Sequence, residues 1–342
     1  MILVYSTPLT DRFRNLDVRD GVLLRGAAGW GEFSPFWDYS DAECVPWLRA
    51  AVEAATLPFP TRVAESSSVA EPSSGTRMAE PVEAPSTDSG TRVPVNATVP
   101  AVGPDRAAEI VAASGCSTVK VKVAQAGQTL ADDLDRVAAV RAALGSSGAI
   151  RVDANGAWTV ADAIEALPRL DRAAGGLEYA EQPCATVPEL AAVRRAVAVP
   201  IAADESIRRA SDPYAVVRAG AADVIVLKVQ PLGGVRACLA LGEELGLPIT
   251  VSSALESSVG IAAGVALSAA LPNTNAAGLA TVALLRHDVT STPLLPVRGA
   301  LPVSRIEPDA LPPAPPEVER AWRDRLDRVA VLAGIHLQEV LA

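Results

Sequence analysis

Aromatic residues make up only 4% of this 342-residue chain, against a hydrophobic fraction of 49%. A core so poor in rings has to be built mainly from Ala, Val and Leu on closely packed helices and strands, which suits a helix-wrapped parallel sheet. Positive charge is also short, with 30 Lys and Arg against 40 Asp and Glu and a net charge of −10. Without a basic cluster there is no surface for nucleic acid or an anionic membrane, and a small-molecule carboxylate is the expected partner. Cys44, Cys116, Cys184 and Cys238 are widely separated, with no Cys-x-x-Cys pair and no neighbouring histidine. That argues against a zinc site and for reduced thiols. The opening Met-Ile-Leu-Val-Tyr-Ser-Thr-Pro is too short for a signal sequence, and no apolar run is long enough to span a bilayer, so a cytoplasmic protein is expected. No Gly-x-Gly-x-x-Gly opens a helix after the first strand, which leaves a dinucleotide-binding sheet without support.

What the chain does have is alternation. After a first α+β lobe (residues 1–60), with a strand at Val18 to Arg25 and a helix from Asp41 to Ala55, the composition changes. Thr61 to Arg92 is rich in Ser, Pro, Glu, Ala and Thr, repeats Ser-Gly-Thr-Arg from Ser74 and Ser89, and reads as a low-complexity, disordered insertion. From residue 93 to 285 strand-like runs alternate with Ala- and Leu-rich helical stretches. Strands are expected near Val95–Val99, Thr118–Val123, Ala149–Asp153, Leu177–Glu181, Ile201–Asp204, Val224–Lys228 and Ile249–Ser252, with an eighth, weaker one near Ala277–Thr281. Eight such units predict a closed (β/α)8 barrel of the TIM type. Residues 286–342, with a helix from about Pro316 to Leu332, are expected to pack back on the first lobe.

Charged motifs recur at the interval of one strand-plus-helix unit. Val-Lys-Val-Lys ends at Lys122, Val-Asp-Ala-Asn spans Val152 to Asn155, Glu181 opens Glu-Gln-Pro, Ala-Asp-Glu-Ser contains Asp204 and Glu205, and Val-Leu-Lys-Val contains Lys228. Each sits at a strand's C-terminal end, which in a barrel is the catalytic face. Side chains alternate along a strand, so Lys120 and Lys122 share one face, as do Arg151 and Asp153. Burying Asp153, Glu181 and Asp204 together without a partner would cost several kcal/mol each, which implies a cation between them. Hard oxygen ligands with no His or Cys favour Mg2+, with Mn2+ able to substitute. Lys120 would depress the pKa of Lys122 and so make it a base, with Lys228 reaching in from the opposite side. Arg151 has two readings, a substrate carboxylate contact or part of a buried charge layer. Ser252 and Ser253 are candidates for a second substrate carboxylate, and Gly233 with Gly234 for a helix-opening anion contact. Trp30, Phe33, Phe36 and Trp37 either close over the substrate or form the lobe's core.

Taken as a set, these motifs resemble the enolase superfamily, and within it the muconate-lactonising subgroup, with Lys-x-Lys on the second strand and Lys on the sixth. The likeness covers nearly the whole chain, and Gly-Trp-Gly-Glu (Gly29 to Glu32) looks like the turn of that family's capping domain. The resemblance implies that Asp153, Glu181 and Asp204 hold Mg2+, that Lys122 is the acid/base and Lys228 faces it, and that Asn155 and Glu205 support them. His287 and His336 lie far from every motif, unlike the superfamily branch that uses a His–Asp dyad. Longer phrases such as Arg25 to Phe36, Val95 to Gly103, Glu181 to Val187, Leu227 to Gly234 and Val251 to Gly260 are similar to members that dehydrate a succinyl-hydroxycyclohexadiene carboxylate in menaquinone synthesis. That implies syn elimination through a metal-stabilised enediolate. A racemase of N-succinyl amino acids or a dipeptide epimerase is the alternative on the same residues. A non-catalytic barrel, using the insertion to bind a partner, is the reading from a different class. The insertion departs from the family, whose lobe and barrel are joined by a short link.

Overall fold

The structure, a computed structural model, describes residues 1–14, 16–60, 91–272 and 275–341. It opens with three antiparallel strands, β1 (Ile2–Phe13), β2 (Leu16–Gly26) and β3 (Gly29–Phe33), ordered β1-β2-β3. β1 has no counterpart among the expected strands. Its apolar alternation is broken by Pro8 and by Asp11 and Arg12, and its register shifts between Pro8 and Phe13. The following helix, α1 (Val45–Thr56), starts later than Asp41 because Pro46 sits in its first turn, where a missing N–H costs nothing. Asp41 pairs instead with Arg328 at 2.7 Å. Gly31 lets β3 lie directly on α1, since a Cβ there would fall 1.9 Å from the Ala51 carbonyl oxygen.

Most of the low-complexity stretch lies outside the described residues. Arg92, placed at its end by the sequence, instead begins a strand, β4 (Arg92–Pro94). The barrel then follows: β5 (Ala97–Val99), α2 (Pro104–Ser114), β6 (Thr118–Lys122), α3 (Leu130–Leu144), β7 (Ala149–Asp153), α4 (Val160–Ala174), β8 (Tyr179–Glu181) and α5 (Val187–Ala196). β9 (Ile201–Ala203) leads into two single-turn helices, α6 (Glu205–Arg208) and α7 (Ala215–Arg218). β10 (Val224–Leu227), α8 (Val235–Leu245), β11 (Ile249–Val251) and α9 (Ser258–Ala270) complete the alternation. α3, α4 and α5 each start on a capping box, Thr129 with Asp132, Thr159 with Asp162 and Thr186 with Glu189, so the loop after each strand ends at a chemically fixed point.

Seven strands pair in parallel in the order β11-β10-β9-β8-β7-β6-β5. The expected eighth strand is reduced to two bridging residues: Ala277 pairs with Val95, and Gly278 with Ser252. These close the ring, but from Ala280 to Leu284 the chain winds into a 3-10 turn and takes the residues a longer strand would need. The fold is an α/β barrel of the TIM type. After it, β12 (Ala300–Pro302) pairs antiparallel with β4, and α10 (Pro316–Ala333) and the short α11 (Leu337–Val340) end the chain. α10 returns to the first lobe, where Trp322 meets Phe33 edge-on with ring centroids 5.9 Å apart. All four cysteines are buried and unpaired. Among the described residues no helix is long and apolar enough to cross a membrane.

Candidate active site

Parallel pairing puts the strand ends level. Lys122 stands opposite Asp153, and Asp153 opposite Glu181. Lys120, Lys122, Asp153, Glu181, Asp204 and Lys228 are thereby gathered at the C-terminal mouth of the barrel, with the carboxylates at 1% exposure or less. Lys122 Nζ donates to Asp153 Oδ2 at 2.6 Å and to Asn155 Oδ1 at 2.5 Å. Lys120 Nζ donates to both oxygens of Glu181, at 3.0 and 2.8 Å, and lies 3.4 Å from Asp153 Oδ2. Across the mouth, Lys228 Nζ donates to Asp204 Oδ2 at 2.6 Å, while Arg208 Nε donates to Asp204 Oδ1 at 2.9 Å. Arg208 also reaches Glu205 Oε1 at 2.5 Å, and Asn155 donates to that same oxygen at 3.1 Å.

The electrostatics separate the two lysines of the pair. Burial pulls the Lys122 ammonium below its ordinary value, and the Lys120 charge adds to that against the pull of Asp153. Lys120 feels the same burial, but Glu181 and then Asp153 outweigh it and hold it well above the ordinary range. One ammonium is thus fixed as a cation while its neighbour is eased towards the neutral base. Asp153 and Asp204, though buried, are kept ionised by their cationic partners.

Among the described residues no three acidic, histidine or cysteine side chains stand as a ready metal cage. Ammonium and guanidinium groups take the facing oxygens instead. Two further features mark the cluster. Burial and then Asp153 push the Glu181 carboxyl up to about 7. Glu205 Oε2 is buried and has no hydrogen-bond partner among the described residues. The carboxylates offer only hard oxygens, a donor set that would fit a divalent cation.

A pocket of about 360 Å3, counting its open mouth, lies above these groups. It is lined by Lys120, Lys122, Asp153, Asn155, Lys228, Ser252 and Ser253, with Thr98, Leu255 and Thr281 around them. The capping lobe supplies Phe13, Arg14 and Phe36. Phe13 brings its ring to 5.2 Å from Lys122 Nζ, and Arg14 lies 4.6 Å from the Phe36 ring centre. Sequence reasoning missed Phe13, Arg14, Leu255 and Arg208. The Arg-Phe-Arg run at the β1–β2 turn is the available signal for the first two, but the broken apolar alternation of β1 hides the strand that carries it.

Two sequence candidates lie elsewhere. Arg151 sits two residues before Asp153 and so about 7 Å deeper in the lumen. There it donates to Glu178 at 2.6 Å, Asn96 at 2.9 Å and the Ala276 carbonyl at 2.7 Å, which makes it part of a charge layer beneath the pocket. Gly233 and Gly234 do open α8, but that helix's first N–H groups, from Val235 and Arg236, are taken by Glu53 of α1 at 2.8 and 3.3 Å. A Cβ at Gly234 would lie 2.6 Å from that carboxylate, so the helix end is filled by the protein's own anion. Of the four candidate aromatics only Phe36 lines the pocket; Phe33 and Trp37 pack on Trp322, and Trp30 donates to Glu307. Cys184 is buried off the pocket, its thiol pushed up to about 11 by burial.

Comparison with known proteins agrees with this geometry. Residues 4–55 match the family model described as Enolase N-terminal domain-like, and residues 104–309 the one described as Enolase C-terminal domain-like. The chain belongs to the enolase superfamily, whose members use a divalent metal. An o-succinylbenzoate synthase of Thermobifida fusca (strain YX) is 56% identical over 324 residues, 94% of this chain and 93% of that enzyme. One from Mycobacterium tuberculosis (strain H37Rv) is 47% identical over 333 residues, covering 95% and 92%. At that likeness the chain belongs with the o-succinylbenzoate synthases. The L-Ala-D/L-Glu epimerase of Bacillus subtilis superposes with a TM-score of 0.69 over 92% of this chain and 98% of its own, at 21% identity, a likeness of fold alone.

Proposed function

We propose that this chain dehydrates 2-succinyl-6-hydroxy-2,4-cyclohexadiene-1-carboxylate to 2-succinylbenzoate and water, a step of menaquinone synthesis, with Mg2+ bound by Asp153, Glu181 and Asp204. The observation that carries the reading is the pair Lys122 and Lys228, each on a carboxylate of the cluster, on two sides of one pocket. The names of the 56% and 47% identical relatives supply the product. A bound divalent cation supplies positive charge against the ring carboxylate, where negative charge builds up as the α proton leaves. Lys122 Nζ, neutral, takes that proton from the ring carbon bearing the carboxylate. The C–O bond to the neighbouring hydroxyl breaks, the electron pair closes the aromatic ring, and the Lys122 ammonium returns its proton to the departing oxygen as water. Lys228 stays protonated and offsets the charge from the other side. Ser252, Ser253 and Arg14 line the pocket where the succinyl carboxylate would lie. The four unpaired cysteines suit a reducing cytoplasm.

Two opposed lysines would also serve a racemase of N-succinyl amino acids or a dipeptide epimerase, so the deciding experiment runs both reactions. Loss of the diene's ultraviolet absorbance with Mg2+, and not without it, is expected, together with negligible deuterium exchange into N-succinyl amino acids. Exchange at a comparable rate would make the chain a racemase, and silence in both assays would remove the proposal.

A further inference from the structure

Arg19 is a buried cation that no carboxylate oxygen meets within hydrogen-bond reach among the described residues. It belongs to β2 of the capping lobe, is 2% exposed, and spends its donors on carbonyl oxygens. Nε donates to Leu255 O at 2.9 Å, Nη2 to Ala254 O at 3.3 Å and to Ser34 O, and Nη1 to Asp20 O at 3.1 Å. Its guanidinium also lies 4.7 Å from the centre of the Phe36 ring. Arg19 itself does not line the pocket, yet Ala254, Leu255 and Phe36 all do.

Leu255 is held at φ +66°, a left-handed conformation that a leucine adopts only when its surroundings impose it. The planar, forked guanidinium takes two successive carbonyls of this turn from one side and leans on the Phe36 face, so a single rigid group fixes both apolar surfaces over the lysines. Neighbouring contacts frame the same place. Gln230 accepts from Ser34 N at 3.0 Å, and Glu256 accepts from Ala254 N at 2.6 Å. Lysine, with one point charge, could not span the same acceptors.

We infer that Arg19 is a positioning and specificity-determining residue: by gripping the turn at residues 254–255 and facing Phe36, it sets the gap that admits a flat carbocyclic carboxylate. The inference rests on the proposed dehydration and concerns only the shape of that pocket. The test compares wild type with Arg19→Lys and Arg19→Met, using turnover of the cyclohexadiene substrate, calorimetric binding of 2-succinylbenzoate in the presence of Mg2+, and thermal melting. KM and the product dissociation constant are expected to rise about tenfold or more in both variants while kcat stays within about threefold. A fall in melting temperature with KM and product affinity unchanged would make Arg19 a strut between domains and overturn the inference. Full recovery of KM in Arg19→Lys would do so too, because charge alone would then suffice. Should neither variant fold, Leu255→Gly relieves the left-handed backbone and removes one surface that Arg19 holds. A rise in KM of about fivefold with kcat kept supports the inference, and an unchanged KM overturns it. A wild type that turns over the substrate while the variants match it sinks this inference alone; a wild type without turnover sinks the proposed function as well.

Discussion

At the scale of single residues, position in a strand decides chemistry more than residue type does. Lys120 and Lys122 have the same side chain and share a face, yet the first is locked to Glu181 while the second donates to Asp153 and Asn155 beneath the Phe13 ring. Replacing Lys122 by alanine should therefore lower kcat by about 10^3-fold or more in protein that still folds, since one group serves as both base and acid. Retained turnover in a folded variant would exclude Lys122 from that role. Glu256 is the other residue with a measurable signature. Burial, and then the charge of Glu32, push its carboxyl up to about 7, against a smaller opposing pull from Arg19. A carboxyl that holds its proton more tightly when folded stabilises the fold most at low pH and loses that contribution as pH rises through its folded value. Stability should thus decline between about pH 5 and about pH 8, and Glu256→Gln should flatten the decline and exceed wild type at the higher pH by about 1–3 kcal/mol. Urea unfolding at the two pH values reads this, and parallel slopes for the two proteins would assign the titration elsewhere. The motif residues were legible in sequence because the strand period alone puts them on one face. Arg19 and Leu255 were not, because 236 residues separate them and only the packing of the lobe on the barrel makes them neighbours.

At the scale of elements, the joint between lobe and barrel is made by a strand of one capping the helix of the other. Glu32 on β3 accepts from Ser257 N at 3.1 Å and Gly260 N at 3.0 Å, so it sits on the N-terminus of α9, and it also takes Tyr5 Oη at 2.8 Å and Ser34 Oγ at 2.7 Å. α9 is apolar on nearly every side and buried from Ser258 to Ser268, and its start is shared with Ser257, whose Oγ accepts from Val259 N at 3.3 Å, and Asp288, which accepts from Ser258 N at 3.1 Å. Glu32→Ala strands several buried donors at once and should cost about 3 kcal/mol or more, whereas Glu32→Gln, which keeps an acceptor, should cost about half of that. Equal stability of both variants in chemical unfolding would show that the cap contributes nothing. The same reasoning explains the misplaced anion site at α8. Gly-Gly before a helix announces an open N-terminus in sequence, but which carboxylate reaches it, here Glu53 of α1, depends on how a distant helix docks.

At the scale of the whole molecule, the buried cluster carries its own test. If Asp153, Glu181 and Asp204 hold a divalent cation in the folded state only, saturating Mg2+ at about a hundred times its dissociation constant adds about 2.7 kcal/mol of stability. The melting temperature should climb with Mg2+, fall back with chelator, and cease to respond in Asp204→Asn. A wild type indifferent to Mg2+ would remove the cation from the cluster. The long insertion predicts the opposite outcome. Among the described residues none lining the pocket falls between Phe36 and Thr98, and the chain on either side is anchored, with Phe59 under the Arg305 guanidinium at 4.0 Å and Arg92 paired to Pro302. Replacing residues 61–90 by a short Gly/Ser linker should leave kcat/KM within about twofold, because loop length alone costs little. A large loss would assign the segment to catalysis or assembly. The sequence by itself determined the alternation of strands and helices, the level at which each acidic and lysine side chain emerges, and hence the donor set, because all of these follow from periods of two and 3.6 residues along a local stretch of chain. Only the tertiary structure decided that the eighth strand shrinks to two residues, that Arg151 lies beneath the pocket, that Glu53 fills the end of α8, and that Phe13, Arg14 and Arg19 reach the barrel from the lobe. Those outcomes turn on which distant surfaces meet, and no local period encodes that.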